Sequence, residues 1–220
     1  MENATNERYS RQADIVPREW LLATIPTVIG VGAIGRQVAI QLTAIGVKEM
    51  TIWDDDIVDL SNVATQGYFY SDIGRPKVNV MAEYLRYINP DITIHARKER
   101  FILDSEPTLE IFVCIDSISG RKIIWEASKD SYIFYVDGRM AAESLRVLTN
   151  EIDSGSEEHY ESTLFDSGEA YVGACTAKST IYCANIAAGM MVSQFTKWLR
   201  DVPFEKDIML NIFGTELTCI

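Results

Sequence analysis

Apolar residues follow two rhythms along this chain, short unbroken runs and stretches at helical spacing, and the two alternate. Ile25 to Gly30 is a short apolar run of the kind that forms a strand buried on both faces of a parallel sheet. Ala33 to Ile45 places Ile34, Val38, Leu42 and Ile45 on one side of a helix, with Gly46 as its stop. Glu49 to Trp53 predicts a second strand. Lys77, after Pro76, fits the first turn of a helix running to about Ile88, which Asn89-Pro90 ends. Ile92 to Ala96 predicts a third strand and Ile111 to Ile115 a fourth. A helix over Ile118 to Ser128 and a strand over Tyr132 to Val136, ending on Asp137, follow. Strand and helix in alternation predict an α/β fold, Rossmann-like, with a mostly parallel sheet and helices on both faces.

Past residue 137 the rhythm changes. No clear helix precedes the strand pattern of Glu143 to Asn150, so antiparallel C-terminal strands are expected. Glu151 to Glu169 carries seven acids and no Lys or Arg, which predicts a solvated loop. Thr176 to Arg200 predicts a long helix with small, closely packing residues. Asp207 to Phe213 predicts a last strand, paired with Ser144 to Thr149.

Composition narrows the class. At 220 residues, with 47% apolar and 24% charged residues, the chain suits one globular domain with a full core. No apolar run is long enough to span a bilayer, and the polar start MENATNERYSRQ lacks the apolar core of a secretory signal, so the cytoplasm is the expected compartment. A formal net charge of -12 argues against a nucleic-acid or anionic-membrane surface. Cys114, Cys175, Cys183 and Cys219 form no Cys-x-x-Cys pair, so no zinc is expected. Cys114 and Cys183 read as core. His95 and His159 read as structural or surface residues without clear partners.

The candidate chemistry begins at Gly30-x-Gly32-x-x-Gly35, between the first strand and the first long helix. The first glycine permits the tight turn, the second lets backbone approach phosphate, and the third lets helix pack on strand. The helix start offers unpaired N–H groups to an anion. Asp54 closes the second strand, where a ribose-hydroxyl acceptor is expected. This predicts a nucleotide but no reaction, because nicotinamide-dependent oxidoreductases use the same turn and acid. Further residues follow in order: Asp56, Ser61-Asn62, Lys77, Asp116 and Ser117. Each falls at a turn, in the long connection from Asp54 to Gly74, or beyond the carboxyl end of a strand, where open α/β sheets bind ligands.

These pieces resemble the ThiF/MoeB-type adenylyltransferases, which include the activating enzymes of ubiquitin-like proteins. The matching segments are RYSRQ at 8–12, GVGAIG at 30–35, DDDIVDLSN at 54–62, Gln66, DIGRPKV at 72–78, NP at 89–90 and CIDS at 114–117. The resemblance implies a single adenylation domain over 1–220, with an N-terminal arm at 1–24 and a crossover loop at 151–172. It implies Mg-ATP as the nucleotide and the C-terminal carboxylate of a small ubiquitin-like or sulfur-carrier protein, or a peptide, as the group adenylated. Gly32 would lie under the phosphates, Asp54 would accept from the ribose, and Gly30, Gly35, Asp56 and Ser61 would belong to the same ATP site. Asn62 and Lys77 would donate to phosphate oxygens. Asp116 would hold Mg²⁺, with Ser117 beside it. Arg11 matches an arginine that reaches the phosphates of a neighbouring subunit, which implies a homodimer.

Two positions qualify that reading. Thr65 stands where the family commonly has an arginine, so either Arg11 or Arg75 compensates, or the chain is a weak or non-catalytic binding subunit. Cys175, at the expected start of the long helix, is a possible thioester nucleophile, because a helix N-terminus favours thiolate; the alternative is a small packed residue.

Overall fold

Residues 7–165 and 179–220 are described in the computed structural model of the chain. Its strands are β1 (Thr27–Ile29), β2 (Glu49–Trp53), β3 (Thr93–Arg97), β4 (Glu110–Val113), β5 (Phe134–Ala141), β6 (Ser144–Glu151), β7 (Asp207–Asn211) and β8 (Glu216–Cys219). Its helices are α1 (Arg18–Leu21), α2 (Ala33–Ile45), α3 (Leu60–Gln66), α4 (Lys77–Ile88), α5 (Ile118–Ser128), α6 (Glu157–Ser162) and α7 (Ile181–Leu199).

The strands form one sheet in the order β3-β2-β1-β4-β5-β6-β7-β8. The first five run parallel, and β6, β7 and β8 pair antiparallel. Val28 of β1 sits in register between Ile52 of β2 and Phe112 of β4. The chain winds outward from β1 to β3, then returns to place β4 on the other side of β1. That reversal opens a crevice beyond the carboxyl ends of β1 and β4, where a ligand fits without disturbing the ladder.

Alternate side chains of the central strands enter two cores. Val28 and Phe112 join α2, α4 and α7 residues such as Val38, Met81 and Ala187. Ile29, Ile111 and Val113 point the other way, into a cluster with Trp125 of α5, Tyr135 of β5 and Tyr160 of α6. The sheet is thus covered on both faces, which is why β1 and β4 carry no polar side until their ends. Small residues on α7 (Ala184, Ala187, Ala188) are fully buried against the first core.

Several boundaries match the sequence pattern, including α2 with its left-handed stop at Gly46 (φ 114°), β2, α4 and α5. Others differ. The connection from Asp54 to Gly74 holds α3 and a short turn of 3-10 helix at Tyr70–Asp72. The acidic stretch is not simply a solvated loop: within it α6 forms, because Tyr160 inserts as a buried anchor. Asp137 does not end β5 but lies within it, fully buried among cations. A further strand, β8, extends the sheet past the expected last one. The long helix begins at Ile181 behind an extended N-cap, Thr180, and not at Thr176, since Ser179 bridges to Ala142 instead.

Candidate nucleotide site

The glycine turn is built by close approach. Gly30 has φ 86°, and a Cβ there would lie 2.8 Å from the Cys114 carbonyl oxygen. A Cβ on Gly35 would lie 1.8 Å from the Gly30 carbonyl oxygen, so α2 can sit this low on β1 only without a side chain there. Gly32 is different. Its nearest neighbour is the Gln66 amide at 3.9 Å, and it caps α2 without any side-chain hydrogen bond. The first N–H groups of α2 therefore face open space beside a backbone with no side chain, an arrangement suited to an anion.

Asp54 ties β2 to this turn. One carboxylate oxygen accepts from the Val31 N–H at 2.8 Å and the other from the Asp56 N–H at 2.9 Å. Each oxygen keeps a lone pair for another donor, such as a ribose hydroxyl. Burial pushes the Asp54 carboxyl above its ordinary range, opposed chiefly by the charge of Lys77. Lys77 itself is buried at the start of α4, with its Nζ 2.7 Å from Asp56 Oδ2. Its side chain is 6% exposed against 64% for Asp56, so the ammonium is held inside while its counter-ion faces solvent.

Asp59, within the segment DDDIVDLSN, caps the start of α3. Its carboxylate accepts from the N–H groups of Ser61 (2.7 Å) and Asn62 (3.2 Å), and Asn62 Oδ1 accepts from the Asp59 N–H at 3.0 Å. This reciprocal cap is a local pattern, Asp-x-x-Asn before a helix, that sequence could have disclosed. It leaves the Asn62 amide nitrogen with a weak 3.3 Å bond to Ser61 Oγ. Thr65 donates its hydroxyl back to the Ser61 carbonyl at 2.8 Å and adds no charge.

The crevice closes on the β4 side. Cys114 N–H donates to the Ile29 carbonyl at 2.8 Å, and burial pushes its thiol up to about 12, so it is a packed residue and not a nucleophile. Asp116 follows, exposed, just beyond β4. Ser117 caps α5 by accepting from the Gly120 N–H at 3.2 Å. Across the crevice, the carboxylates of Asp54, Asp55 and Asp56 lie within 4.8 Å of one another.

Arg11 does not join this site within one chain. It is exposed on a 3-10 turn, Ser10–Gln12, and neighbouring Gln12 donates to the Ile45 carbonyl at the far end of α2. Arg75 is held by Glu83 at 2.5 Å and Asp72 at 3.6 Å. Cys175 lies outside the described residues, and it stands six positions before the helix that was expected to start there. Both histidines have carboxylate partners after all: His95 with Glu49 at 2.8 Å, and His159 with Asp207 at 2.9 Å. Cys183 is core, as expected.

Two buried arginines carried no sequence signal. Arg36, on the first turn of α2, stacks over Tyr68 and Tyr84 at 5.3 and 4.9 Å, and its Nε has no hydrogen-bond partner among the described residues. Tyr68 in turn donates to the Val31 carbonyl at 2.7 Å, supporting the glycine turn from below. Arg121, on α5, meets Asp137 beneath the end of β4.

A doubly covered, mostly parallel sheet with a glycine turn, an acid at the end of β2 and a buried lysine at its switch point defines the fold class as Rossmann-like. More narrowly, the chain belongs to the ThiF family, whose model matches residues 9–215. It is 34% identical over 128 residues to the sulfur carrier protein ThiS adenylyltransferase of Escherichia coli (strain K12), covering 53% of this chain and 51% of that protein. It is 28% identical over 200 residues to ubiquitin-like modifier-activating enzyme 5 of Culex quinquefasciatus, covering 78% of this chain and 49% of that protein. The chain thus spans about half the length of these curated relatives. Among solved structures, PaaA superposes with a TM-score of 0.76 at 22% identity over 99% of this chain and 82% of its own. E. coli MccB with ATP gives 0.78 at 16% identity over 98% of this chain and 71% of its own. Those two likenesses show the fold. No helix among the described residues is long and apolar enough to cross a membrane.

Proposed function

We propose that the chain is an ATP-dependent adenylyltransferase that activates the C-terminal carboxylate of a small ubiquitin-like or sulfur-carrier protein, or of a peptide. The observation that carries this reading is the convergence, in a ThiF-family chain, of the open glycine turn, Asp54 and the buried Lys77 on one crevice. The relatives named for adenylation of ThiS and activation of ubiquitin-like modifiers support it.

In this reaction a carboxylate oxygen attacks the α-phosphorus of ATP. The new acyl–phosphate bond forms as the bond to pyrophosphate breaks, leaving an acyl-adenylate. The protein's task is to hold the two groups in line and to offset charge as it moves onto pyrophosphate. Gly32 and the α2 N-terminus receive phosphate, Asp54 accepts from the ribose, and Lys77 and Asn62 donate to phosphate oxygens. Ser61 and Ser117 flank the nucleotide. Asp116 suits Mg²⁺, which takes one or two carboxylates and otherwise prefers phosphate and water oxygens. Bound there, Mg²⁺ would neutralise phosphate charge. Asp116 is exposed just beyond β4, which fits such a donor set.

Thr65 supplies no charge and Arg75 pairs with Glu83 and Asp72, and Arg11 of a partner subunit reaches the phosphates in a homodimer in this reading. Cys175 remains a proposed acyl acceptor, its thiolate taking the acyl group from the adenylate as AMP leaves; a thioester adduct with the partner protein, cleaved by added thiol and lost in Cys175→Ala, is its signature.

The deciding experiment is ATP–pyrophosphate exchange with a panel of ubiquitin-like proteins and C-terminal peptides. Exchange that depends on one partner is the expected result. No exchange and no ATP binding would sink the reading. Thr65 favours a second reading, a non-catalytic binding subunit, whose signature is ATP or partner binding without exchange. A nicotinamide-dependent oxidoreductase loses its support with the family assignment, and a titration with nicotinamide cofactors checks that.

A further inference from the structure

Asp116 itself makes no hydrogen bond among the described residues, so its direction depends on the backbone that carries it. That backbone is held from one side by a buried side chain. Arg121 is 3% exposed, and its guanidinium donates to the carbonyl of Ile115, the residue immediately before Asp116. It also donates to Asp137 and, at 3.3 Å, to the Gly138 carbonyl of the adjacent strand β5. One planar fork thus joins the end of β4 to the middle of β5, and Ser117 fixes the other side of Asp116 by capping α5. A guanidinium offers several donors in fixed directions; an ammonium does not.

The counter-ion is equally well held. Asp137 is fully buried, and its second oxygen accepts from Arg139 Nε at 2.8 Å and Tyr160 hydroxyl at 3.1 Å. Arg139 then reaches the Thr163 carbonyl and hydroxyl at 3.0 and 2.9 Å. Buried ion pairs commonly contribute less to stability than apolar side chains of the same volume. A pair that also grips the carbonyl next to Asp116 has a different use.

We propose that Arg121, with Asp137 as its counter-ion, is a positioning residue that sets the Asp116 carboxylate for the metal-bound nucleotide. The inference rests on the adenylation reading, in which Asp116 is the metal ligand. Supporting groups around metal ligands typically change metal affinity or activity by about 10–100-fold when altered. Arg121→Lys keeps the charge and loses the fork. The Arg121→Met, Asp137→Asn double variant removes the charges of the pair, leaves an amide oxygen to accept from Arg139 and Tyr160, and leaves the Arg139 bonds to Thr163 in place.

The test compares these variants with wild type and Asp116→Asn. Mn²⁺ binding in the presence of a non-hydrolysable ATP analogue is read by electron paramagnetic resonance, and the Mg²⁺ dependence of exchange is read alongside. The expected result is a rise of about tenfold or more in the metal concentration for half-saturation in both Arg121 variants. The KM for ATP at saturating metal should stay within about twofold, because the glycine turn and Lys77 are untouched. Unchanged metal dependence in a variant that urea unfolding shows to be folded would overturn the inference alone. Loss of the fold in both variants would overturn it too, by assigning the pair to stability. A wild-type protein that neither exchanges nor binds Mn²⁺ with nucleotide would overturn the adenylation reading beneath it.

Discussion

The Lys77 ammonium, buried at the start of α4, lies 2.7 Å from an Asp56 carboxylate that stands open to solvent. The exposed counter-ion of a buried cation is free to move aside. Lys77 is thereby poised to exchange a carboxylate for a phosphate oxygen. Lys77→Met should lower ATP–pyrophosphate exchange by about 10²–10³, the usual cost of one charge-stabilising donor. Circular dichroism should show the fold intact, since exposed Asp56 needs no partner. An unchanged rate removes Lys77 from the chemistry.

Gly35 and Gly32 should separate structure from binding. Alanine at 35 places a methyl 1.8 Å from the Gly30 carbonyl oxygen, so α2 must lift from β1. Overpacking of this kind costs about 1–3 kcal/mol or more, visible as a lower urea midpoint. Alanine at 32 meets nothing nearer than 3.9 Å and should leave the midpoint alone. Isothermal titration should nonetheless show weakened nucleotide binding for Gly32→Ala, because the methyl occupies the phosphate approach.

Nucleotide affinity should be sensitive to acid through Asp54. Burial raises its carboxyl above the ordinary 3.8, so a proton binds it at higher pH than it binds an exposed aspartate. The ionised carboxylate accepts a ribose hydroxyl more strongly than the neutral acid does. Affinity should therefore fall, on acidification, before ordinary carboxylates titrate, and Asp54→Asn should be weak but flat across that window. The stability contribution has the opposite sign: it is fully present below 3.8 and lost as pH rises through the raised value. Binding titrations at stepwise pH check the first point; a fall only near 3.8 or below would contradict it.

Asp207 should behave the other way. Burial pushes its carboxyl up, but hydrogen bonds and charge from Arg146 and His159 outweigh that and hold it below 3.8. The stability it contributes is present above 3.8 and lost as pH falls through the depressed value. Asp207→Asn should cost about 1.5–3 kcal/mol at pH 7, the scale of hydrogen bonds to a charged group. The gap from wild type should shrink below pH ~3.8. Urea unfolding at both ends of the range measures it, and a gap that persists in acid argues against the assignment.

Arg11 sits at the far end of α2 from the glycine turn, a helix of 13 residues and so about 20 Å long. Within one chain it is on the wrong side. Light scattering should show a dimer, and Arg11→Ala should depress exchange without altering the subunit's own urea midpoint. A monomer that still exchanges would rule out action in trans.

Much of this was legible in the chain because the signals are local. The glycine turn, α2 with Gly46 behind it, the start of α4 at Lys77 and the order Asp54, Asn62, Lys77, Asp116 are each set by neighbours within a few residues. α3 lies in what the pattern reads as a connection, though Asp59 and Asn62 spell its cap. α6 escaped because an acidic surface stretch conceals one anchor, Tyr160, whose value lies in reaching Trp125 and Tyr135. The long helix starts at Ile181, later than the pattern predicts, because residues 176–180 carry nothing that forbids helix while Ser179 pairs with distant Ala142.

The sequence by itself determined the α/β class, the nucleotide turn and the family's series of polar residues, since each follows from backbone preferences and spacing along a short segment. Only the tertiary structure decided which cations remain available. Arg75 is consumed by Glu83 and Asp72, Arg121 is drawn beneath β4 by an aspartate sixteen positions away, and Lys77 is enclosed beside Asp56. Charge acts through space and through the water that burial removes, and neither distance nor burial is written in the order of residues.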